Sequence, residues 1–225
     1  MAKVFLSAGH GGTDPGAVAF GLKEKDINLQ MLLACNEVLV RHGVSVVCSR
    51  TKDEDDPWRE EVKEANASGC DIAVSFHNNA GGGDGFEALY YPSTKNTKGK
   101  DLAAICEKHA KALGQNSRGL KPRAELGFLN GTTMPAVILE SFFLDNEKDN
   151  DIGDTVAEQR AFGVAYAKAI LEYFGIPYKE ESKKETATSS KLYKVQVGAF
   201  SVKSNADKLA NELKAKGYSC FIVEV

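Results

Sequence analysis

Short apolar runs alternate along the chain with stretches whose apolar residues recur at helical spacing. The run Lys3-Val-Phe-Leu-Ser-Ala8 closes at Gly9-His10-Gly11-Gly12, which predicts a buried strand ending in a tight turn at His10. From about Glu24 to His42, residues Ile27, Met31, Ala34, Cys35, Val38 and Leu39 form a stripe at three and four spacing, so a helix is expected there. Val44 to Cys48 reads as the next strand, and Pro57 to Ser68 as a helix with proline near its first turn. Asp71 to Phe76 is another apolar run, and it also stops at a histidine, His77. A loop rich in Gly and Asn follows, then a strand from Phe86 to Tyr91 and a helix from about Lys98 to Leu113. The stretch from Gly114 to Thr133 reads as mostly irregular. Ala136-Val-Ile-Leu139 predicts a buried strand ending at a carboxylate, Glu140, and Thr155 to Phe174 a last long helix.

Strands alternating with helices define the expected fold class as α/β. The expectation is a mixed, mostly parallel twisted sheet covered by helices on both faces, plus a small C-terminal β-α-β half-module. Pro177 breaks the pattern, and a charged, Ser- and Thr-rich stretch follows it. The expected division is a catalytic domain over 1–177, a linker over 178–191 and the half-module over 192–225. Within the half-module, Leu192 to Phe200 and Tyr218 to Val225 read as strands, and Ser204 to Lys216 as an amphipathic helix.

A length of 225 residues suits one domain plus a small module. The net charge of -3 argues against a general nucleic-acid binder. No apolar run approaches the length of a membrane span, and no basic and apolar leader opens the sequence, so synthesis in the cytoplasm without a signal peptide is expected. The five cysteines form no C-x-x-C pair and lie in apolar patterns, which predicts reduced thiols packed as small hydrophobes.

The chemistry gathers at strand ends. His10, His77 and Glu140 close three apolar runs, and Glu24 opens the helix that follows the His10 turn, so all four can converge on one edge of an α/β sheet. Two histidines and a carboxylate are a common ligand set for catalytic zinc, and a second carboxylate can then move protons. Simpler readings stand beside this one. A strand-end histidine is often a hydrogen-bonded turn residue, and Glu24 suits a helix's first turn by the dipole alone. Glu140 is different, because a carboxylate after four buried apolar residues is costly without a partner.

Several stretches resemble the type 3 family of zinc-dependent N-acetylmuramoyl-L-alanine amidases. They are Ser7-Ala-Gly-His-Gly-Gly-Thr-Asp-Pro-Gly-Ala17, Leu22-Lys-Glu-Lys-Asp-Ile-Asn28, Arg59 through Asn66, Asp71 through Ala80, Gly85 through Tyr91, Arg118-Gly-Leu-Lys-Pro-Arg123, Leu126 through Leu129 and Met134 through Glu140. The resemblance implies a hydrolase of bacterial peptidoglycan that cuts the amide between N-acetylmuramic acid and L-alanine of the stem peptide. It implies one Zn2+ ion, with His10, Glu24 and His77 as ligands and Glu140 as the catalytic residue. Asp14 and Asn79 match recurrent family positions, as ligand-orienting groups or as turn residues. Arg50 and Arg59 are read as structural partners of carboxylates. Phe142 stands where the family carries glycine, and it is expected to reshape the pocket beside Glu140. The loop after His77 is short, so an open site is expected.

Lys194-Val-Gln-Val-Gly-Ala-Phe200 and Asn205-Ala-Asp-Lys-Leu209 resemble the sporulation-related repeat domain, whose complete form binds glycan strands. Half of that plan is present, so self-association through paired half-modules, or disorder, is expected. Two settings fit, a phage endolysin and a mother-cell lytic enzyme of a spore former, each acting on the cell wall after release. The alternatives are a zinc endopeptidase cutting within the stem peptide and an inactive wall-binding protein. No nucleic-acid or membrane partner is expected.

Overall fold

The computed structural model describes residues 1–93, 98–180, 197–216 and 222. The chain divides into two compact units, Met1–Lys179 and Glu180–Val225.

In chain order the first unit holds β1 (Lys3–Ala8), the two-residue strands β2 (Val18–Ala19) and β3 (Leu22–Lys23), α1 (Glu24–Arg41), β4 (Ser45–Cys48), α2 (Trp58–Ser68), β5 (Ile72–Asn79), β6 (Phe86–Tyr90), α3 (Lys98–Lys111), β7 (Ser117–Pro122), α4 (Gly127–Gly131), β8 (Ala136–Phe143), α5 (Glu147–Asn150) and α6 (Val156–Tyr173). Six strands form one sheet in the order β4-β1-β5-β8-β6-β7. The strands β4, β1, β5 and β8 are mutually parallel, β6 is antiparallel to β8, and β7 is parallel to β6. The expected mixed, mostly parallel sheet is what forms.

Side chains alternate across each strand, and the two faces bury different helices. Val4, Leu6 and Ala8 of β1 join Ile72, Val74 and Phe76 of β5 under α1, α3 and α6. Phe5 and Ala73 point the other way, towards Ala65 of α2 and Phe128 and Leu129 of α4. The last helix is fixed at its start by a capping box, Thr155 with Glu158. Among the described residues no helix is long and apolar enough to cross a membrane. Cys35, Cys70 and Cys106 are buried free thiols, as the apolar patterns implied, while Cys48 is half-buried and Cys220 lies outside the described residues.

Three expectations change. The stretch 114–133 is not irregular: it supplies the edge strand β7 and the short helix α4. Both β5 and β8 run past the residues expected to end them, to Asn79 and Phe143. The third concerns Phe142. His77 pairs with Glu140 and Asn79 with Phe143, so β8 carries one residue more than β5 between those pairs. This bulge turns Phe142 to the core face. Its ring is fully buried and lies 5.8 Å from that of Phe162. Phe142 therefore does not shape the pocket beside Glu140.

In the second unit α7 (Lys203–Ala215) forms where the amphipathic pattern placed a helix. Residues 197–200, expected to end a strand, carry no regular structure. The remainder of that strand, 192–196, and the strand expected over 218–225, apart from residue 222, lie outside the described residues.

One buried acid of the first unit makes a stability prediction. Glu61 of α2 is 3% exposed and accepts a 2.8 Å hydrogen bond from the Ser7 hydroxyl, which lies 3.1 Å from that of Ser75. Burial, reinforced by Asp56, pushes Glu61 up from 4.5 to about 7. Within that window the folded chain keeps a proton that the unfolded chain has lost, so stability falls as pH rises through it. Glu61→Gln keeps an acceptor for Ser7 and removes the fall, a gain of up to about 3 kcal/mol at pH 8. Urea midpoints should then rise at pH 8 and hardly move at pH 4; unchanged midpoints at pH 8 would contradict it.

Candidate metal centre

The centre lies where β1, β5 and β8 end. After β1 the Gly9 N–H donates to the Phe76 carbonyl at 3.1 Å, which ties the turn to β5. Gly11 and Asp14 then exchange backbone hydrogen bonds at 2.9 Å. Between them His10 takes φ 64, a left-handed conformation that costs a non-glycine residue about 1–3 kcal/mol. That turn swings the imidazole back over the sheet edge. Glu24 is the first residue of α1, and its backbone N–H donates to the Ala17 carbonyl at 2.9 Å.

These elements bring three side chains together. Glu24 Oε2 lies 3.2 Å from His10 Nε2, and Glu24 Oε1 lies 2.9 Å from His77 Nδ1. The imidazole rings meet edge to face with centroids 5.0 Å apart. One ligand atom from each residue lies within 4.8 Å of the others. Both histidines are partly open to solvent, at 26% and 23% of the side chain, whereas Glu24 is buried. No helix lies in the loop between β5 and β6, in line with the open site expected.

Two glycines make room for this cluster. A Cβ at Gly9 would stand 2.1 Å from atoms of the His77 ring, and one at Gly16, whose φ is 64, would stand 2.5 Å from Glu24 Oε2. Any larger residue at either position displaces a member of the set.

The charges are strongly coupled. The hydrogen bond to Glu24, acting against burial, lifts His10 to about 9. Burial also pushes His77 down, and its contacts with Glu24 outweigh that, leaving it above its ordinary value. For Glu24 burial opposes ionisation, and the bonds to both imidazoles win, holding the carboxyl well below the usual carboxylate range. A buried carboxylate facing two imidazole nitrogens is a donor set that suits a borderline cation such as zinc.

Glu140 projects beside this cluster, paired with His77 across the β5–β8 ladder. Burial pushes its carboxyl up to about 7, His77 pulls it back, and Glu24 and Glu87 push with burial. It thus has the near-neutral poise of an acid–base group. Asp14 Oδ2 lies 2.8 Å from His10 Nδ1, an arrangement that fixes the ring and its tautomer. Asn79 takes the turn role: its Oδ1 accepts from the Ala80 N–H at 2.9 Å.

The two arginines behave differently. Arg50 is buried and donates to the carbonyls of Ala8, Lys25 and Lys52, so its hydrogen bonds tie the His10 turn through backbone oxygens, while the carboxylates of Asp56, Asp53, Glu61 and Asp26 act on it through charge. Arg59 lies 4.5 Å over the Trp58 ring, and no ion pair is formed by it among the described residues.

Sequence reasoning missed two buried asparagines. Asn28 donates to the Gly9 carbonyl at 2.9 Å and reaches Glu24 Oε1 at 3.4 Å. Asn78 donates its side-chain amide to Asn28 Oδ1 at 2.8 Å and its backbone N–H to Glu24 Oε1 at 3.0 Å. The available signal was an amide one helical turn after Glu24, on the apolar stripe.

Fold and site together define an α/β domain with a His-Glu-His cluster and a near-neutral carboxylate at the carboxyl edge of its sheet. Residues 4–172 match the family described as N-acetylmuramoyl-L-alanine amidase, and residues 166–224 match the SPOR domain. The sporulation-specific N-acetylmuramoyl-L-alanine amidase of Bacillus subtilis is 36% identical over 225 residues, covering 99% of this chain and 85% of that protein. The endolysin of Bacillus phage SPP1 is 35% identical over 238 residues, covering 98% and 87%. The solved structure of the catalytic domain of the amidase CwlV from Bacillus (Paenibacillus) polymyxa superposes with a TM-score of 0.72 at 30% identity, covering 79% of this chain and all of that one. The chain belongs to the N-acetylmuramoyl-L-alanine amidase family, the peptidoglycan amidases.

Proposed function

We propose that the chain cleaves the amide between the lactyl group of N-acetylmuramic acid and L-alanine using water activated at a zinc ion held by His10, Glu24 and His77. When bound, that ion would polarise the scissile carbonyl and lower the pKa of water from about 16 to about 7. Glu140 takes the proton of the attacking water and passes it to the leaving nitrogen. The new C–O bond and the broken C–N bond leave a lactyl carboxylate and a free L-alanine amine. Asp14 holds the Nδ1 proton of His10, which leaves Nε2 free as a donor to the metal. The observation that carries the reading is the buried Glu24 carboxylate bracketed by two imidazole nitrogens, with a second, half-buried carboxylate, Glu140, one strand away.

On this reading residues 1–177 are the catalytic domain, 178–191 a linker and 192–225 a partial wall-binding module. The SPOR match supports a second contact with peptidoglycan. The site of action is the cell wall.

The test is digestion of purified walls followed by identification of the new amino termini. New L-alanine termini, abolished by a chelator and restored by zinc, are expected. Termini from within the stem peptide would instead make the chain an endopeptidase. Wall binding without any new termini would leave only the adaptor role.

A further inference from the structure

The strands β6 and β7 run against β5 and β8, so their amino ends lie at the same sheet edge as the candidate metal centre. The second residue of each is charged. Glu87 of β6 pairs directly with Glu140 of β8, and Arg118 of β7 donates from Nε to Glu87 Oε1 at 2.6 Å. A row therefore runs across the edge from His77 through Glu140 and Glu87 to a guanidinium.

That guanidinium is held from two sides. Glu87, only 7% exposed, fixes its Nε, and the Phe143 ring lies 5.1 Å from its central carbon. Yet the Arg118 side chain is 44% exposed, and among the described residues neither Nη group has a hydrogen-bond acceptor. A buried carboxylate and an aromatic face thus orient a planar fork of donors towards solvent. Such a fork binds a carboxylate in two-point fashion with little further loss of freedom.

We propose that Arg118 is a specificity-determining residue that receives a carboxylate of the stem peptide. This rests on the reading of Glu140 and the His-Glu-His cluster as the place where the amide is cut. Neighbouring strands are about 4.8 Å apart, so the fork at Glu87, two strands from His77, lies about 10 Å from the cluster. An extended peptide advances about 3.5 Å per residue, which places the recognised carboxylate on the second or third residue of the stem. The second residue is a glutamate joined through its γ-carboxyl, which leaves its α-carboxylate free. The third can carry a carboxylate when it is a diamino diacid.

The experiment compares four synthetic N-acetylmuramoyl peptides: the second residue as isoglutamate or isoglutamine, and the third as meso-diaminopimelate or lysine. Initial rates are measured for the wild type, R118Q and R118K, each checked for an unchanged melting temperature. The wild type should prefer the carboxylate at one of the two positions. R118Q should lose about 10- to 100-fold in kcat/KM on that peptide, mainly through KM, and little on its uncharged counterpart. R118K should fall between. The position whose charge matters identifies which carboxylate is bound. Equal loss on all four peptides, or none on any, overturns the proposal and leaves Arg118 as a brace for β7. Equilibrium binding of the same peptides to E140Q and to E140Q/R118Q reads the same difference without turnover. Failure of the zinc–Glu140 mechanism would show separately, as wild-type activity indifferent to chelation or to E140Q.

Discussion

Replacing Glu140 with glutamine is expected to lower wall hydrolysis by about 10²–10⁴-fold while the protein binds zinc as before. Glutamine fills the same space, so β8 and its pairing with β5 should be undisturbed. What it removes, on the proposed mechanism, is the group that would take a proton from water and give it to the leaving nitrogen. Burial places this carboxyl at about 7 in the metal-free chain. A bound dication beside it favours the ionised form, so the acid limb of kcat/KM should fall at or below pH 7 and be missing from the residual activity of the variant. Measured zinc content, melting temperature and kcat on purified walls are enough to decide. A variant with full zinc and more than about a tenth of wild-type kcat would remove Glu140 from the proton path.

Much of this site was legible in the sequence, because each member interrupts a strong local pattern. Glu140 ends four apolar residues, and His77 ends six in which only Ser75 and Asp71 are polar. Glu24 precedes a stripe of unmistakable period. Their convergence followed from their places in the chain, since strand ends and the next helix starts share one edge of an α/β sheet. The supports were less legible. Asn28 and Asn78 read as ordinary polar interruptions, and only the fold brings them together beneath Glu24. Arg118 lay in a recognised motif, but its place beside Glu87 depends on β6 and β7 reversing direction.

The errors in the fold share a physical cause. Local alternation says nothing about pairing between distant strands. In β7 the sequence Ser-Arg-Gly-Leu-Lys-Pro has one large apolar residue, Leu120, because an edge strand has a neighbour on one side only. Proline at its end is tolerated there for the same reason. Phe142 is expected beside the pocket because it stands where the family carries glycine, and a strict period of two would also put it on the same face as Glu140. The bulge breaks that period, and nothing in the residues Ser141-Phe142-Phe143 announces it.

Glutamine at position 24 should fail in the opposite way to glutamine at 140. Glu24 is where the centre is tied together: its two oxygens take the imidazoles of His10 and His77, the Ala17 N–H at 2.9 Å and the Asn78 N–H at 3.0 Å. The amide keeps the volume and one acceptor, but not the charge. Zinc affinity is expected to fall by more than the 10–100-fold that loss of an outer partner costs, and activity should return only in part with excess zinc. The metal-free protein gives an independent reading. His10, lifted from 6.5 to about 9 chiefly by Glu24, stabilises the fold fully below pH 6.5 and loses that contribution as pH rises to 9. Wild-type melting temperature should decline across that window, and the decline should shrink in E24Q to the part that Asp14 supplies. Zinc binding at wild-type strength in E24Q would take Glu24 out of the ligand set. The two isosteric changes thus separate metal holding from proton transfer: one glutamine empties the centre, and the other leaves it loaded and idle.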